Sequence, residues 1–164
     1  MMKEEKSKNE TLVSSLINLL DKENAHVSLE KSLKDIPFEL LGKKPSGLPY
    51  SIWQLAEHIR IAQLDILEFS RNPEYQSPEW PEGYWSSETK PKSEDEWEKC
   101  VQQIKNDRHS FIELLKENAE SLYEPFKYGE GQTLLREALV LADHNSYHTG
   151  EIILLRRLLN NWGK

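Results

Sequence analysis

An all-α fold, a four-helix bundle with an extra short N-terminal helix, is what this sequence predicts. Three observations carry that expectation. Apolar residues recur three and four apart over three long stretches, near 52–69, 97–115 and 134–159, as they do on the buried stripe of a helix. A capping residue precedes each stretch: Ser51 with Gln54 and Ser93 with Glu96 form capping-box patterns, and Thr133 stands before the third. Nowhere do apolar and polar residues alternate with the period of two that a half-buried strand requires.

Taken in order, residues 1–8 are charged and expected to be frayed. Leu12, Leu16, Leu19 and Leu20 place a first short helix from Asn9 to about Asp21. After a break near Lys22–His26, Ser28 caps a second segment with Leu29, Leu33 and Ile36 that stops near Pro37, and Phe38–Leu41 adds one more turn. One long bent helix across residues 23–27 fits the N-terminal region almost as well. Pro45, Gly47 and Pro49 mark a loop.

The helix opened by Ser51 buries Ile52, Leu55, Ala56, Ile59, Ala62, Ile66 and Phe69, with Tyr50 placed to staple onto Leu55, and ends near Asn72–Pro73. Four of the chain's eight prolines fall in residues 73–91, which excludes helix across most of that stretch. It forms a long aromatic loop between the second and third bundle helices. Its Trp80, Tyr84 and Trp85 are expected to pin it to the bundle. Ser93 opens a helix carrying Trp97, Cys100, Val101, Ile104, Phe111, Leu114 and Leu115 that reaches about Asn118–Leu122. Thr133 opens the last helix, which stops near Asn160–Gly163.

A chain of 164 residues suits one domain with one core. The formal net charge of −7 argues against binding nucleic acid or anionic membrane through a basic surface. The N-terminus lacks the apolar core of a secretory signal. The single cysteine, Cys100, excludes an intrachain disulfide, and a cytoplasmic protein is the simplest expectation.

The chemistry points to Leu141-Ala142-Asp143-His144-Asn145-Ser146-Tyr147-His148-Thr149-Gly150-Glu151. A helix turns every ~3.6 residues, so His144 and His148 share one face about a turn apart. Two imidazoles so placed can bind one divalent cation. Alone, the pair reads equally well as core-edge histidines bonded to backbone or carboxylate. Asn145 stands where a zinc-protease motif needs its glutamate, which rules that class out. His58, at the edge of the stripe of the Ser51 helix, is proposed as the third ligand. Three protein ligands leave a coordination position open, the mark of a catalytic site.

Three segments carry a family resemblance: Pro49-Tyr50-Ser51-Ile52-Trp53-Gln54-Leu55-Ala56-Glu57-His58, Trp80-Pro81-Glu82-Gly83-Tyr84-Trp85, and the segment from Leu141 to Gly150. With them the chain resembles the DinB/YfiT-like superfamily of metal-binding four-helix-bundle proteins over nearly its whole length from about Leu12, as a single domain. The resemblance implies a divalent metal, usually nickel or zinc, on His58, His144 and His148, and a homodimer. Members with activities include thiol S-transferases that use low-molecular-weight thiols, a thiol-dependent isomerase, and proteins described as metal-dependent hydrolases. The resemblance selects no substrate.

Asp65 lies seven residues after His58 and Glu151 seven after His144, so each falls near its histidine's helix face. Each is a candidate to orient an imidazole or to act as a general base, against the alternative of a solvated carboxylate. Asp143 is expected in a structural salt bridge. Gly150, in mid-helix, is expected to admit a close neighbour, either another helix or a ligand. Cys100 is expected to be buried and inert, His109 to be on the surface, and His26 to be no ligand. The expected function is a metal-dependent enzyme, a thiol S-transferase or a hydrolase acting on a small electrophile. The rival readings are a non-catalytic dimeric metal-binding stress or interaction protein, and a plain helical scaffold.

Overall fold

The computed structural model describes residues 8–163. The expectation that residues 1–8 fray falls outside the described residues except at Lys8, which opens a helix. The described chain is all-helical: α1 (Lys8–Asp21), α2 (Leu29–Leu33), α3 (Ile52–Arg71), α4 (Glu94–Glu117) and α5 (Leu134–Leu158), with short 3₁₀ turns at Phe38–Leu40, Glu82–Tyr84 and Ala119–Ser121. The described residues contain no strand, only an isolated bridge between Pro125 and Thr133. None of their helices is long and apolar enough to cross a membrane.

The expected caps form. The Gln54 N–H donates to Ser51 Oγ at 3.2 Å, and the Ser51 N–H donates to Gln54 Oε1 at 3.3 Å, closing a reciprocal box at the start of α3. At α4 the box is only half made. Ser93 Oγ accepts from the Glu96 N–H, but the Glu96 carboxylate turns to the N–H of Lys92 instead of Ser93. Thr133 Oγ1 accepts from the Arg136 N–H at the start of α5. Helix α2 ends sooner than its apolar pattern suggests: Lys34 turns to an extended backbone and Asp35 follows in the left-handed region (φ 54°), so the helix is over before Ile36. At the other end of the chain Asn160 adopts φ 55°. The N–H groups of Asn160 and Asn161 then donate to the carbonyls of Arg157 and Arg156, so α5 closes in a Schellman turn.

Helix α3 packs along both α4 and α5, α1 lies against α4 and α5, and α2 is wedged mainly against α5. Two apolar clusters result. One gathers Ile52, Leu55, Ile59, Cys100, Ile104, Ile152 and Leu155. The other gathers Val13, Leu16, Leu67, Phe111, Leu115, Leu134 and Leu141. Cys100 is buried and unpaired, and burial pushes its thiol far above the ordinary range. A thiol buried and kept protonated in this way is a poor nucleophile.

Polar side chains also cross between helices. Gln63 on α3 donates to the Ile104 carbonyl of α4 at 2.5 Å, and accepts from Asn145 Nδ2 of α5 at 3.0 Å. Both amides occupy positions that the apolar register would give to aliphatic residues. The net worth of such a bond is about 1 kcal/mol, but leaving either buried partner unmatched costs more.

Gly150 departs from expectation. A Cβ built on it meets nothing within 4 Å beyond its own helix, so among the described residues no other element approaches it. The Gly150→Ala protein should therefore gain about 1 kcal/mol from helix propensity alone. The thermal midpoint should rise by about 2–4 °C. A lower midpoint would show that a second molecule packs against this glycine.

Candidate metal centre

His58 projects from the middle of α3, and His144 and His148 from successive turns of α5. Because α3 and α5 pack together, the three rings meet. Their centroids lie 4.8 Å (His58–His144), 4.7 Å (His58–His148) and 4.5 Å (His144–His148) apart. One ring nitrogen from each falls within 4.8 Å of the others, a grouping that can hold a metal ion. His58 and His148 are buried, and His144 is half-buried.

Hydrogen bonds fix two of the three rings. His58 Nδ1 lies 2.9 Å from the Tyr84 carbonyl, so Nδ1 carries the proton and donates, leaving Nε2 bare. His148 Nδ1 lies 2.7 Å from Glu151 Oε2, with the same consequence. His144 Nε2 stands 2.9 Å from His58 Nε2, while its Nδ1 is buried without a hydrogen-bond partner. Two nitrogens that close must share a proton, and a cation taken up there would replace it. The donor set fits such an ion: it consists of imidazole nitrogens, and two of their tautomers are already set with Nε2 free to ligate.

Burial, and then the neighbouring imidazoles, hold His144 down at about 4; His148 is held at about 4 by burial and by His58. His58 is also lowered, chiefly by burial, against the opposing pull of the Tyr84 carbonyl and Glu151. All three rings are therefore neutral at pH 7, the form in which imidazole binds metals. The bond to Glu151 sets the His148 tautomer without charging the ring.

The 73–91 loop supplies the remaining support. Trp85 stacks on His58 with centroids 3.9 Å apart and planes 1° from parallel, and Tyr50 stacks on the other face of Trp85 at 3.9 Å. Tyr50 thus packs on this tryptophan as well as near Leu55. Ser51 Oγ donates to the Thr89 carbonyl at 2.6 Å, and Gln54 Nε2 to the Ser86 carbonyl at 3.2 Å. The start of α3 therefore anchors the loop through the residues that cap it. Of the three aromatics expected to pin this loop, Trp85 and Tyr84 do so. Trp80 does not: it is 70% exposed and touches Tyr84 edge-on.

The two candidate carboxylates have distinct places. Glu151 serves His148 and not His144, because α5 brings residues three apart onto one edge. Asp65 accepts from the Tyr84 hydroxyl at 2.7 Å. The backbone carbonyl of that same tyrosine holds His58, so Asp65 acts on the ring through Tyr84. Asp143 is exposed and forms no ion pair among the described residues, contrary to the expected salt bridge. His109 is exposed, 4.0 Å from Glu113. His26 is occupied with the Val27 carbonyl and Ser146 Oγ, away from the three histidines.

Two features of this centre are absent from the sequence reading: the carbonyl of Tyr84 as partner of His58, and the stack of Trp85 on that ring. A backbone carbonyl has no residue signature. The only available signal was the density of aromatic residues in an otherwise polar loop.

Replacing Glu151 by alanine removes the group that orients His148. By analogy with outer partners of metal-bound histidines, metal affinity should fall by about 10–100-fold, as read by competition with a chelating indicator. Unchanged affinity would make Glu151 a bystander.

The centre lines a cavity of about 1030 Å³ that also takes in Asp65, Tyr84, Arg136 and Tyr147. Comparison with curated proteins and with solved structures gives no match. A family model described as the DinB superfamily matches residues 23–152, a span that holds all three histidines, the aromatic loop and four of the five α-helices in whole or large part. The chain belongs to the DinB superfamily.

Proposed function

We propose that this protein binds one divalent metal ion, nickel or zinc, through His58, His144 and His148, and works as a metal-dependent enzyme on a small electrophilic substrate. The observation that carries this reading is the convergence of three neutral imidazoles in the wall of a cavity large enough for a small molecule. In this reading the site sits on a single domain, a four-helix bundle of α1, α3, α4 and α5 with α2 as the extra short helix.

A divalent ion held by three protein ligands supplies a Lewis acid with an open position, able to acidify water or a low-molecular-weight thiol. The chain's own residues do the rest. Tyr84 and Glu151 hold two of the imidazoles in their ligating tautomers. Trp85 shields one face of His58 from water. Glu151 lies at the cavity wall with its affinity for protons raised by burial, which suits a group that accepts a proton from a water or thiol nucleophile. Asp65 is the second candidate for that role. Thiol S-transfer and hydrolysis both fit this arrangement.

Metal analysis of the purified protein tests the foundation, with stoichiometric nickel or zinc expected. A reactive electrophile offered with a panel of low-molecular-weight thiols tests transfer through metal-dependent consumption of the thiol. A screen of activated esters and amides tests hydrolysis. Stoichiometric metal without turnover in either screen would favour the alternative, a non-catalytic dimeric metal-binding stress or interaction protein. We further read the protein as a cytoplasmic homodimer. Leu154 and Leu158, about half exposed near the end of α5, are apolar surface available to a second copy. Light scattering should then give twice the chain mass of 19.2 kDa.

A further inference from the structure

The cavity beside the histidines has a charge and a lining that restrict what can enter it. Four carboxylates line it, from Asp65, Glu137, Asp143 and Glu151, against one cationic side chain, Arg136. With neutral histidines the lining carries a formal charge of −3, and a divalent ion reduces it to −1. The charge of Arg136 is matched within the cavity wall, since its Nη1 pairs at 2.5 Å with Glu137, whose side chain is almost fully buried. Asp65 and Glu151 each accept a hydrogen bond from a neutral donor, which leaves their charge uncancelled, and Asp65 Oδ1 is buried without a hydrogen-bond partner. Asp143 is exposed and without an ion pair among the described residues.

Aromatic rings line the same space. Trp80 and Tyr147 are 70% and 64% exposed, which is unusual for side chains of that size, and both border this cavity. An exposed indole or phenol face attracts a cation and gives no comparable attraction to an anion. A carboxylate or phosphate on the non-reacting end of a ligand would therefore meet net repulsion. An ammonium in the same place would meet both the carboxylates and the ring faces.

We propose that the small molecule taken by this cavity carries a positive charge, an ammonium on an aromatic or short apolar body, and that Asp143, Trp80 and Tyr147 select it. The inference rests on the reading of this cavity as the substrate site, and it names the class of substrate.

Three probes of similar size separate the possibilities: phenethylamine, phenethyl alcohol and hydrocinnamate, which are cationic, neutral and anionic at pH 7. Calorimetric titration into both metal-free and metal-loaded protein measures each. The metal-free protein isolates the charge of the chain's own residues, so this result stands apart from any failure to retain metal, which is read separately by metal analysis. In metal-free protein the amine should bind about tenfold more tightly than the alcohol, with the carboxylate weakest. High salt should narrow that order. Asp143→Asn, a change at an exposed position, should weaken the amine several-fold and leave the alcohol unchanged, and Tyr147→Leu should also weaken the amine preferentially. Equal or tighter binding of hydrocinnamate to the metal-free protein would overturn the proposal. So would an unchanged amine preference in Asp143→Asn, or failure of all three probes to bind at millimolar concentration.

Discussion

The His144→Ala protein is expected to purify with its helices intact and without stoichiometric metal. His144 is one corner of a near-equilateral cluster: its ring centroid is 4.5 Å from that of His148 and 4.8 Å from that of His58, and those two are 4.7 Å apart. Its removal leaves two imidazoles from different helices and no third nitrogen. The loss of affinity should exceed the roughly 10–100-fold that follows removal of a partner outside the ligand set. The fold should suffer little, because the lost ring is only half-buried, its Nδ1 has no bond to break, and its Nε2 is bonded only to His58 within the cluster. Circular dichroism should match the parent protein. Added nickel or zinc should raise the melting temperature of the parent and not of the variant, since only a ligand bound to the native state shifts unfolding. His109→Ala, which removes an exposed imidazole, serves as the control. Full metal content in His144→Ala would remove the basis of the proposed function.

A second large effect is expected far from the metal centre. Arg156 on α5 is 4% exposed, yet its guanidinium is extensively bonded. Nη1 donates to the carbonyls of Ser32 and Lys34, each at 2.8 Å, which fastens α5 to the end of α2. Nε and Nη2 donate to the side chain and carbonyl of Asn161 at 2.9 and 3.1 Å, and the group lies over the Trp162 ring at 4.7 Å. Arg156→Met keeps much of the volume and loses every donor. The buried Ser32 carbonyl and the partly buried Lys34 carbonyl at the end of α2 would then lack partners, and about 2–4 kcal/mol should be lost. That is a large part of the total stability of an ordinary domain, roughly 5–15 kcal/mol. Urea denaturation of this variant beside Arg157→Met, at the exposed neighbouring position, measures the difference. The exposed change should stay within about 0.5 kcal/mol of the parent. Equal midpoints for the two variants would show that the network around Arg156 contributes little.

These two residues differ in how far the sequence exposes their roles. His144 was legible because its partner His148 stands one helical turn away, and four-residue spacing within a helix is a local geometric fact. Arg156 was silent. It reads as one of two arginines in the last turn of a helix, and only packing sends one inward and the other to solvent. The inward positions of Gln63 and Asn145 did leave a trace, as polar residues in an apolar register. That trace marks a buried amide but does not name its partner. Glu96 shows the reverse case: the capping pattern was present, and the carboxylate took the neighbouring N–H instead.

By itself the sequence determined the three long helices and most of their ends, the absence of strand among the described residues, and the facing pair His144 and His148, while it left the N-terminal region open between one bent helix and two. Each of these follows from interactions within about one turn of chain, where spacing is geometry. Tertiary structure alone decided that His58, 86 residues from His144, meets that pair. It also decided that Tyr84 and Trp85 hold His58 in place, that Glu151 serves His148, and that Trp80 and Asp143 stay open to solvent. Those contacts depend on how α3 and α5 pack and where a proline-rich loop lies across them, and no local spacing encodes either.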